Sequence, residues 1–188
     1  KNFGNGWDLD IDMLMEGIRD AYTEQEWKIQ KDEMIRVIDA YKKEISNKQR
    51  EEAEMKAQSN SDVGKKFLED NAKKEGIIVL PSGLQYEVLK EGTGKSPTSS
   101  DTVKVHYRGT LIDGTEFDSS YGRGQPASFQ ANRVIAGWTE ILQLMKEGAK
   151  YKTYIPADLA YGQRGAGPKI GPNATLIFEI ELLEVNPE

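Results

Sequence analysis

The sequence predicts an α+β protein: an all-α N-terminal domain with a long helix, then an antiparallel sheet curled around one short helix. Three features of the chain predict this. All seven prolines lie at or after Pro81, and thirteen of the eighteen glycines lie after residue 79. Both residue types punctuate turns and interrupt helices, so the first ~78 residues read as helix and the rest as strands and loops. The second half then alternates apolar and polar side chains with the period of two that a half-buried strand requires. Within it, residues 134–148 break that alternation and take helical spacing instead.

Taken in chain order, Leu14, Ile18 and Tyr22 recur every four residues, as on one face of a helix. Thr23 and Glu26 fit a capping box, which starts a second helix near Glu24. Trp27, Met34, Ile38, Tyr41 and Ile45 form its apolar stripe. From Lys42 to Lys74 apolar positions thin out and charges of both signs alternate, the pattern of a long solvated helix. Ser59-Asn60-Ser61 offers a break in it, and Val63, Phe67 and Leu68 make a second small stripe. Helices of this kind close no core of their own. The stripe packs on the chain's own second half or on another copy, and a long charged helix that does not fold back favours the copy.

In TVKVHYRGTL, Val103, Val105, Tyr107 and Leu111 face one way and Lys104, His106 and Arg108 the other. Asp113-Gly114 is a hairpin turn signal. Trp138, Ile141, Leu142 and Met145 stripe the single short helix, with Gly148 as its C-cap. Leu176, Phe178, Ile180 and Leu182 share a strand face, with Glu179 and Glu181 opposite. The boundary between the two domains falls at 79/80, giving a helical domain over 1–79 and a sheet domain over 80–188.

Composition removes several function classes. The chain has no cysteine and one histidine, which excludes disulfide scaffolds, thiol catalysis and multi-histidine metal sites. The net charge is −6, split as −4 and −2 between the halves, so neither offers the basic face that nucleic acid needs. No apolar run approaches the ~18–20 residues of a membrane span. Asp8, Asp10 and Asp12 imitate a calcium loop, but Met13 and Arg19 stand where glycine and glutamate belong. Gly94-Lys95-Ser96 imitates the end of a phosphate loop, but Pro97 follows where a helix should begin. Gly162, Gly165 and Gly167 mark a loop, with no dinucleotide fingerprint. His106 sits on the polar strand face, away from Tyr107, without the partners of a general base.

What remains is aromatic. Tyr107, Phe117, Phe129, Trp138, Tyr161 and Phe178 fall one per element across the second half, with Asp118 and Arg123 nearby. Scattered aromatics are ordinarily core. Two of these carry hydroxyls that need partners when buried, and Asp118 is an awkward neighbour for a core Phe117. Aromatics with a few polar handles suit a small-ligand pocket.

The run VKVHYRGTLIDGTEFDSSYGRGQPASF, then VIAGWTEILQLMKEG, then IPADLAYGQRGAG and IGPNATLIFEIELLEV, closely resembles the FKBP-type peptidyl-prolyl cis–trans isomerases over about residues 81–186. LDIDMLMEGIRDAY, the charged helix and KKEGIIVLPSGLQYEVLKEGTG resemble the N-terminal dimerisation region of the Mip-like bacterial subgroup. The resemblance implies an FKBP-like fold and a rotamase pocket made by Tyr107, Phe117, Asp118, Arg123, Phe129, Val134, Ile135, Trp138, Tyr161, Ile170 and Phe178. It gives Trp138 the pocket floor, the Ile135 N–H and the Tyr161 hydroxyl as donors to ligand carbonyls, and Asp118 a network with Tyr107 and Arg123. Ala127, Ala166 and Lys169 depart from residues common in single-domain members, which bears on ligand preference. Expected partners are proline-containing polypeptide clients, macrolide-type inhibitors and a second copy joined before about Ala57, with chaperone-like holding of clients by that dimer. No cofactor or metal is expected. A bacterial periplasm or outer envelope is the expected compartment, with the cytoplasm as alternative. The rival function is a proline-segment binding module, chaperone or adhesin without turnover.

Overall fold

The computed structural model describes residues 11–23 and 30–187. Asp8, Asp10, Glu24, Glu26 and Trp27 lie outside them. The chain forms two compact units, residues 1–50 and 51–188.

In the first unit, helix α1 (Ile11–Tyr22) carries the expected stripe. Leu14, Ile18 and Tyr22 are exposed in the single chain, as are Met13 and Met15. The next helix is α2 (Lys31–Asn71), and the start expected near Glu24 lies outside the described residues. Gln30 precedes it and accepts its first hydrogen bond from the Met34 N–H at 3.0 Å. The Thr23 hydroxyl donates backward, to the Arg19 carbonyl at 2.9 Å, at the end of α1. Ile35, Val37 and Ile38 of α2 are exposed.

No break occurs at Ser59-Asn60-Ser61. Serine and asparagine cost a helix only a few tenths of a kcal/mol each, and the Gln58 amide donates to Asp62 at 2.9 Å across the three residues. Downstream of Glu51 the helix belongs with the sheet. The expected division at 79/80 falls inside the sheet, because Ile78 and Val79 already pair with Tyr86 and Gln85. The compact unit begins earlier because Phe67 packs on Tyr154 at 5.9 Å and the buried Asn71 amide donates to Gln85 at 3.0 Å. The Gln85 amide in turn donates to the Leu68 carbonyl at 2.9 Å. Val63, the first residue of the expected small stripe, stays exposed.

The sheet consists of β1 (Ile78–Val79), β2 (Gln85–Lys90), β3 (Thr102–Leu111), β4 (Glu116–Ser119), β5 (Ala127–Gln130), β6 (Lys150–Ile155) and β7 (Leu176–Val185). It is antiparallel in the order β1-β2-β6-β7-β3-β4, with β5 also paired to β3. Alternation holds where it is expected. Val103, Val105 and Tyr107 of β3 and Leu176, Phe178, Ile180 and Leu182 of β7 are buried. Helix α3 (Ala136–Leu144) fills the concave side, with Trp138, Ile141 and Leu142 buried, and Met145 just beyond it buried too. Gly148 is not its cap. The helix ends at Leu144 with Met145 extended, and Gly148 turns the chain four residues later, donating to Leu182 at 2.8 Å. At Asp113-Gly114 the hairpin forms as the sequence predicts. Gly114 has φ +85°, which glycine adopts without strain, and the Asp113 carboxylate accepts from the Thr115 N–H at 2.9 Å.

Candidate functional site: an aromatic cup with a charged triangle at its rim

The cup is built from seven places in the fold. β3 supplies Tyr107 from its buried face. β4 supplies both Phe117 and Asp118, which strict alternation would send to opposite faces. They converge because β4 is bulged: Gly109 pairs with Asp118 and Thr110 with Glu116, leaving Phe117 as the extra residue. β4 and β5 pair with opposite ends of the same edge of β3, so the chain between them must leave the sheet. That excursion brings Arg123 over the Tyr107 ring, with Cζ 5.4 Å from its centroid. β5 supplies Phe129, and the start of α3 supplies Val134, Ile135 and Trp138. The loop between β6 and β7 supplies Tyr161 and Ile170, and β7 supplies Phe178.

The rings meet edge to face, the arrangement that ring quadrupoles favour. Trp138 lies at the centre. Its ring is 5.2 Å from Tyr107 at 85°, 5.7 Å from Phe129 at 86° and 5.2 Å from Phe178 at 81°. Phe117 stands against Phe178 at 5.4 Å and 83°. Together they enclose a cavity of about 830 Å³, within the range of drug-sized ligand sites.

At the rim three polar groups close on each other. The Tyr107 hydroxyl donates to Asp118 Oδ2 at 2.5 Å, Arg123 Nη1 donates to Asp118 Oδ1 at 2.5 Å, and Arg123 Nη2 donates to the Tyr107 oxygen at 2.7 Å. Burial alone would raise the Asp118 carboxyl. The hydrogen bonds from Tyr107 and Arg123 outweigh it and hold the group below the ordinary carboxylate range. Burial, helped by the Asp118 carboxylate, pushes the Tyr107 hydroxyl up, so it stays a donor. The Arg123–Asp118 pair is about half exposed (45% for each side chain), so as an ion pair it contributes little stability. Its effect is to fix where the Tyr107 hydroxyl points.

Ten of the eleven residues expected for the pocket line the cavity, and Arg123 joins through the triangle. Tyr161 is 41% exposed, and among the described residues its hydroxyl has no partner. Trp138 Nε1 is buried without a partner among them as well. Five further residues line the cavity: Arg133, Ala166, Gly167, Pro168 and Lys169. Composition gave no sign of Arg133 or Pro168, whereas Ala166 and Lys169 were visible only as departures from a family pattern. The loop holding them turns at Gly165, whose φ is +62° and whose Cβ would overlap the Ile170 carbonyl. Only glycine permits that turn, and it lets Ala166 and Ile170 pair at 2.8 and 3.2 Å. His106 is not at the cavity. It bonds Ser120 at 2.9 Å and stacks on Tyr121 at 4.7 Å. Among the described residues no cluster of His, Cys, Asp or Glu could hold a metal ion.

An antiparallel sheet around one helix, with an aromatic pocket between them, defines a protein built to bind a small apolar group. Residues 93–183 match the family described as FKBP-type peptidyl-prolyl cis-trans isomerase, and residues 2–88 match the domain amino-terminal to it. The chain is 48% identical over 186 residues to "Outer membrane protein MIP" of Legionella longbeachae, covering 98% of this chain and 80% of that protein. It is 43% identical over 182 residues to the FKBP-type peptidyl-prolyl cis-trans isomerase FkpA of Escherichia coli K12, covering 97% and 67%. The crystal structure of Escherichia coli FkpA superposes with a TM-score of 0.80, at 43% identity, over 97% of this chain and 84% of that one. The chain belongs to the FKBP-type peptidyl-prolyl cis–trans isomerases.

Proposed function

We propose that the cup performs the family's reaction by desolvating the X–Pro amide. The barrier of ~18–20 kcal/mol comes from amide resonance. Resonance puts negative charge on oxygen, and water favours that planar, polar form. An apolar cup favours the twisted, less polar form. The prolyl ring rests on Trp138 between Tyr107, Phe129 and Phe178, and the Ile135 N–H and Tyr161 hydroxyl donate to the substrate's carbonyls. Asp118, held by Tyr107 and Arg123, keeps the cup's rim polar and fixed. No bond breaks, so neither a proton donor nor a cofactor enters. Removing ~5 kcal/mol from the barrier gives nearly four decades in rate.

The observation that carries this reading is the edge-to-face cup centred on Trp138. Phe117→Ala and Asp118→Ala should each lose most of the activity on a short X–Pro peptide while the fold persists. Unchanged rates in both would remove the site assignment. The apolar cavity is also the place for macrolide-type inhibitors, which should compete with the peptide.

The first unit is proposed to join two copies through residues before about Ala57. Met13, Leu14, Met15 and Ile18 of α1 and Ile35, Val37 and Ile38 of α2 are exposed in one chain, a density of apolar groups that marks an interface. Two pockets on one dimer would hold two segments of a proline-containing client and raise avidity through effective concentration. Light scattering at micromolar concentration should return about twice 21.1 kDa. The work proposed for the first unit is thus pairing and client holding, and that of the unit from Glu51 onward is isomerisation. The compartment proposed is a bacterial periplasm or outer envelope. The support is a relative named as an outer membrane protein, and fractionation of the native host tests it.

A further inference from the structure

Helix α2 reaches the loop that walls the pocket. The loop from Gly162 to Asn173 carries Ala166, Gly167, Pro168, Lys169 and Ile170, five of the cavity's lining residues. It is closed at its base by Asn173 N–H to Gly162 O at 2.8 Å, and its tip is pinned across the pocket by Lys169 Nζ to Glu116 O at 3.0 Å. Nothing in these bonds fixes its outer side. That side is held by the helix. Asn60 Nδ2 donates to the Pro172 carbonyl at 2.7 Å, two residues from Ile170. Asn173 Nδ2 donates back to the Ala57 carbonyl at 3.4 Å. The approach is close enough that a Cβ on Gly171 would stand 2.9 Å from Lys56 Cε and 3.2 Å from Asn60 Nδ2. Asparagine is a poor residue for a helix interior, and here its side chain is used across 112 positions of sequence rather than locally.

We propose that Asn60 is a positioning residue of the isomerase: through the Pro172 carbonyl it sets the pocket wall that carries Ile170. The inference rests on the pocket reading above. Side chains on helices place their partners more closely than loops place themselves. A loop released on one side samples more conformations, and substrate then meets the wall in its binding geometry less often. That loss falls on ground state and transition state alike, so it raises KM and leaves kcat near its wild-type value. A net intramolecular hydrogen bond corresponds to roughly a three- to tenfold effect. A residue that merely docked the helix would lower the melting temperature and leave KM of the folded protein unchanged.

The test uses the full chain. Asn60→Ala should raise KM for a short X–Pro peptide roughly three- to tenfold with kcat little changed. Asn60→Asp, which keeps the shape but sets a carboxylate against the Pro172 carbonyl, should do at least as much. Asn60→Gln, which keeps the donor, should recover part of the loss. Amide hydrogen exchange at Ala166 and Ile170 should quicken in Asn60→Ala while exchange in β3 and β7 does not. Asn173→Gly retains the positive φ of that position and should show a smaller loss of the same kind. The proposal is overturned if KM and the Ala166 and Ile170 exchange rates of Asn60→Asp match wild type, or if those rates change only together with β3 and β7. An inactive wild-type chain would refute the pocket reading. The exchange rates would still decide the role of Asn60.

Discussion

Gly109 and Phe117 face each other across β3 and β4 with no room for a methyl group between them. A Cβ on Gly109 would stand 2.6 Å from Phe117 Cε2 and Cζ and 2.8 Å from Phe178 Cε1. The bulge that brings Phe117 into the cup therefore depends on a residue whose side chain is absent.

Gly109→Ala should displace the Phe117 ring toward the cavity. Overpacking of this kind costs about 1–3 kcal/mol. kcat/KM on an X–Pro peptide should fall by at least about tenfold, near the effect of moving a ring out of the transition state by ~1.4 kcal/mol. Parallel melting curves separate the loss of activity from unfolding. Activity equal to wild type would mean that Phe117 does not shape the site.

The pH dependence should be flat through neutrality. The folded Asp118 carboxyl lies below its ordinary value. Its contribution is therefore complete above the unfolded pKa of ~3.9 and is lost only as pH falls through the lower, folded value. Tyr107 is shifted up, so its protonated form is retained below the ordinary tyrosine range and lost only on strong alkalinisation. kcat/KM measured from pH 5 to 8 should show no titration. His106→Ala should leave the profile unchanged, because His106 lies on Ser120 and Tyr121, away from the cavity. A step within this range that disappears in this variant would contradict the mechanism.

Gly64 sits inside α2, where alanine normally stabilises a helix by about 1 kcal/mol. Here the sign should reverse. A Cβ at Gly64 would overlap Thr175 Oγ1, and Thr175 is buried. Gly64→Ala should lower the melting temperature, and Gly64→Ala/Thr175→Ala should recover most of the loss, a coupling that a double-mutant cycle measures. Additive effects would mean that the helix does not pack on the sheet at this point.

Removing α2 should therefore cost more than dimerisation. A fragment starting at Glu51 retains Asn60, Gly64 and Asn71 against the sheet. A fragment starting at Leu80 exposes the buried Gln85, Thr175 and Tyr154. The first should isomerise a short peptide as the full chain does, while the second should melt lower and bind peptide more weakly. In refolding a proline-limited protein at equal pocket concentration, both monomeric fragments should fall behind the dimer.

The sheet was legible in the sequence because its burial is periodic: Val103, Val105 and Tyr107, and Leu176, Phe178, Ile180 and Leu182, alternate without error, and Asp113-Gly114 marks the turn between β3 and β4. The pocket aromatics were legible because each falls on a separate element, and the family pattern supplied the aliphatic members. The docking of α2 was not legible. The small stripe marks Phe67 and Leu68 without naming what they pack on, and the other contacts run through Asn60, Gly64 and Asn71, small or polar groups within a charged helix that no apolar pattern announces. Gly109 was hidden for a related reason. It matters through the space it leaves empty, which composition and periodicity do not register. Gly148 misled because a glycine marks a turn without naming which element end it serves.

The most direct test of the central claim is the cis–trans exchange rate of a short X–Pro peptide, followed by exchange NMR with catalytic amounts of the full chain. Uncatalysed exchange takes tens to hundreds of seconds. The account predicts marked acceleration by the wild-type chain, most of it lost in Phe117→Ala and in Asp118→Ala. Peptide that binds the cup, as seen in its shifted resonances, yet exchanges at the uncatalysed rate would contradict it and leave a proline-binding module in its place.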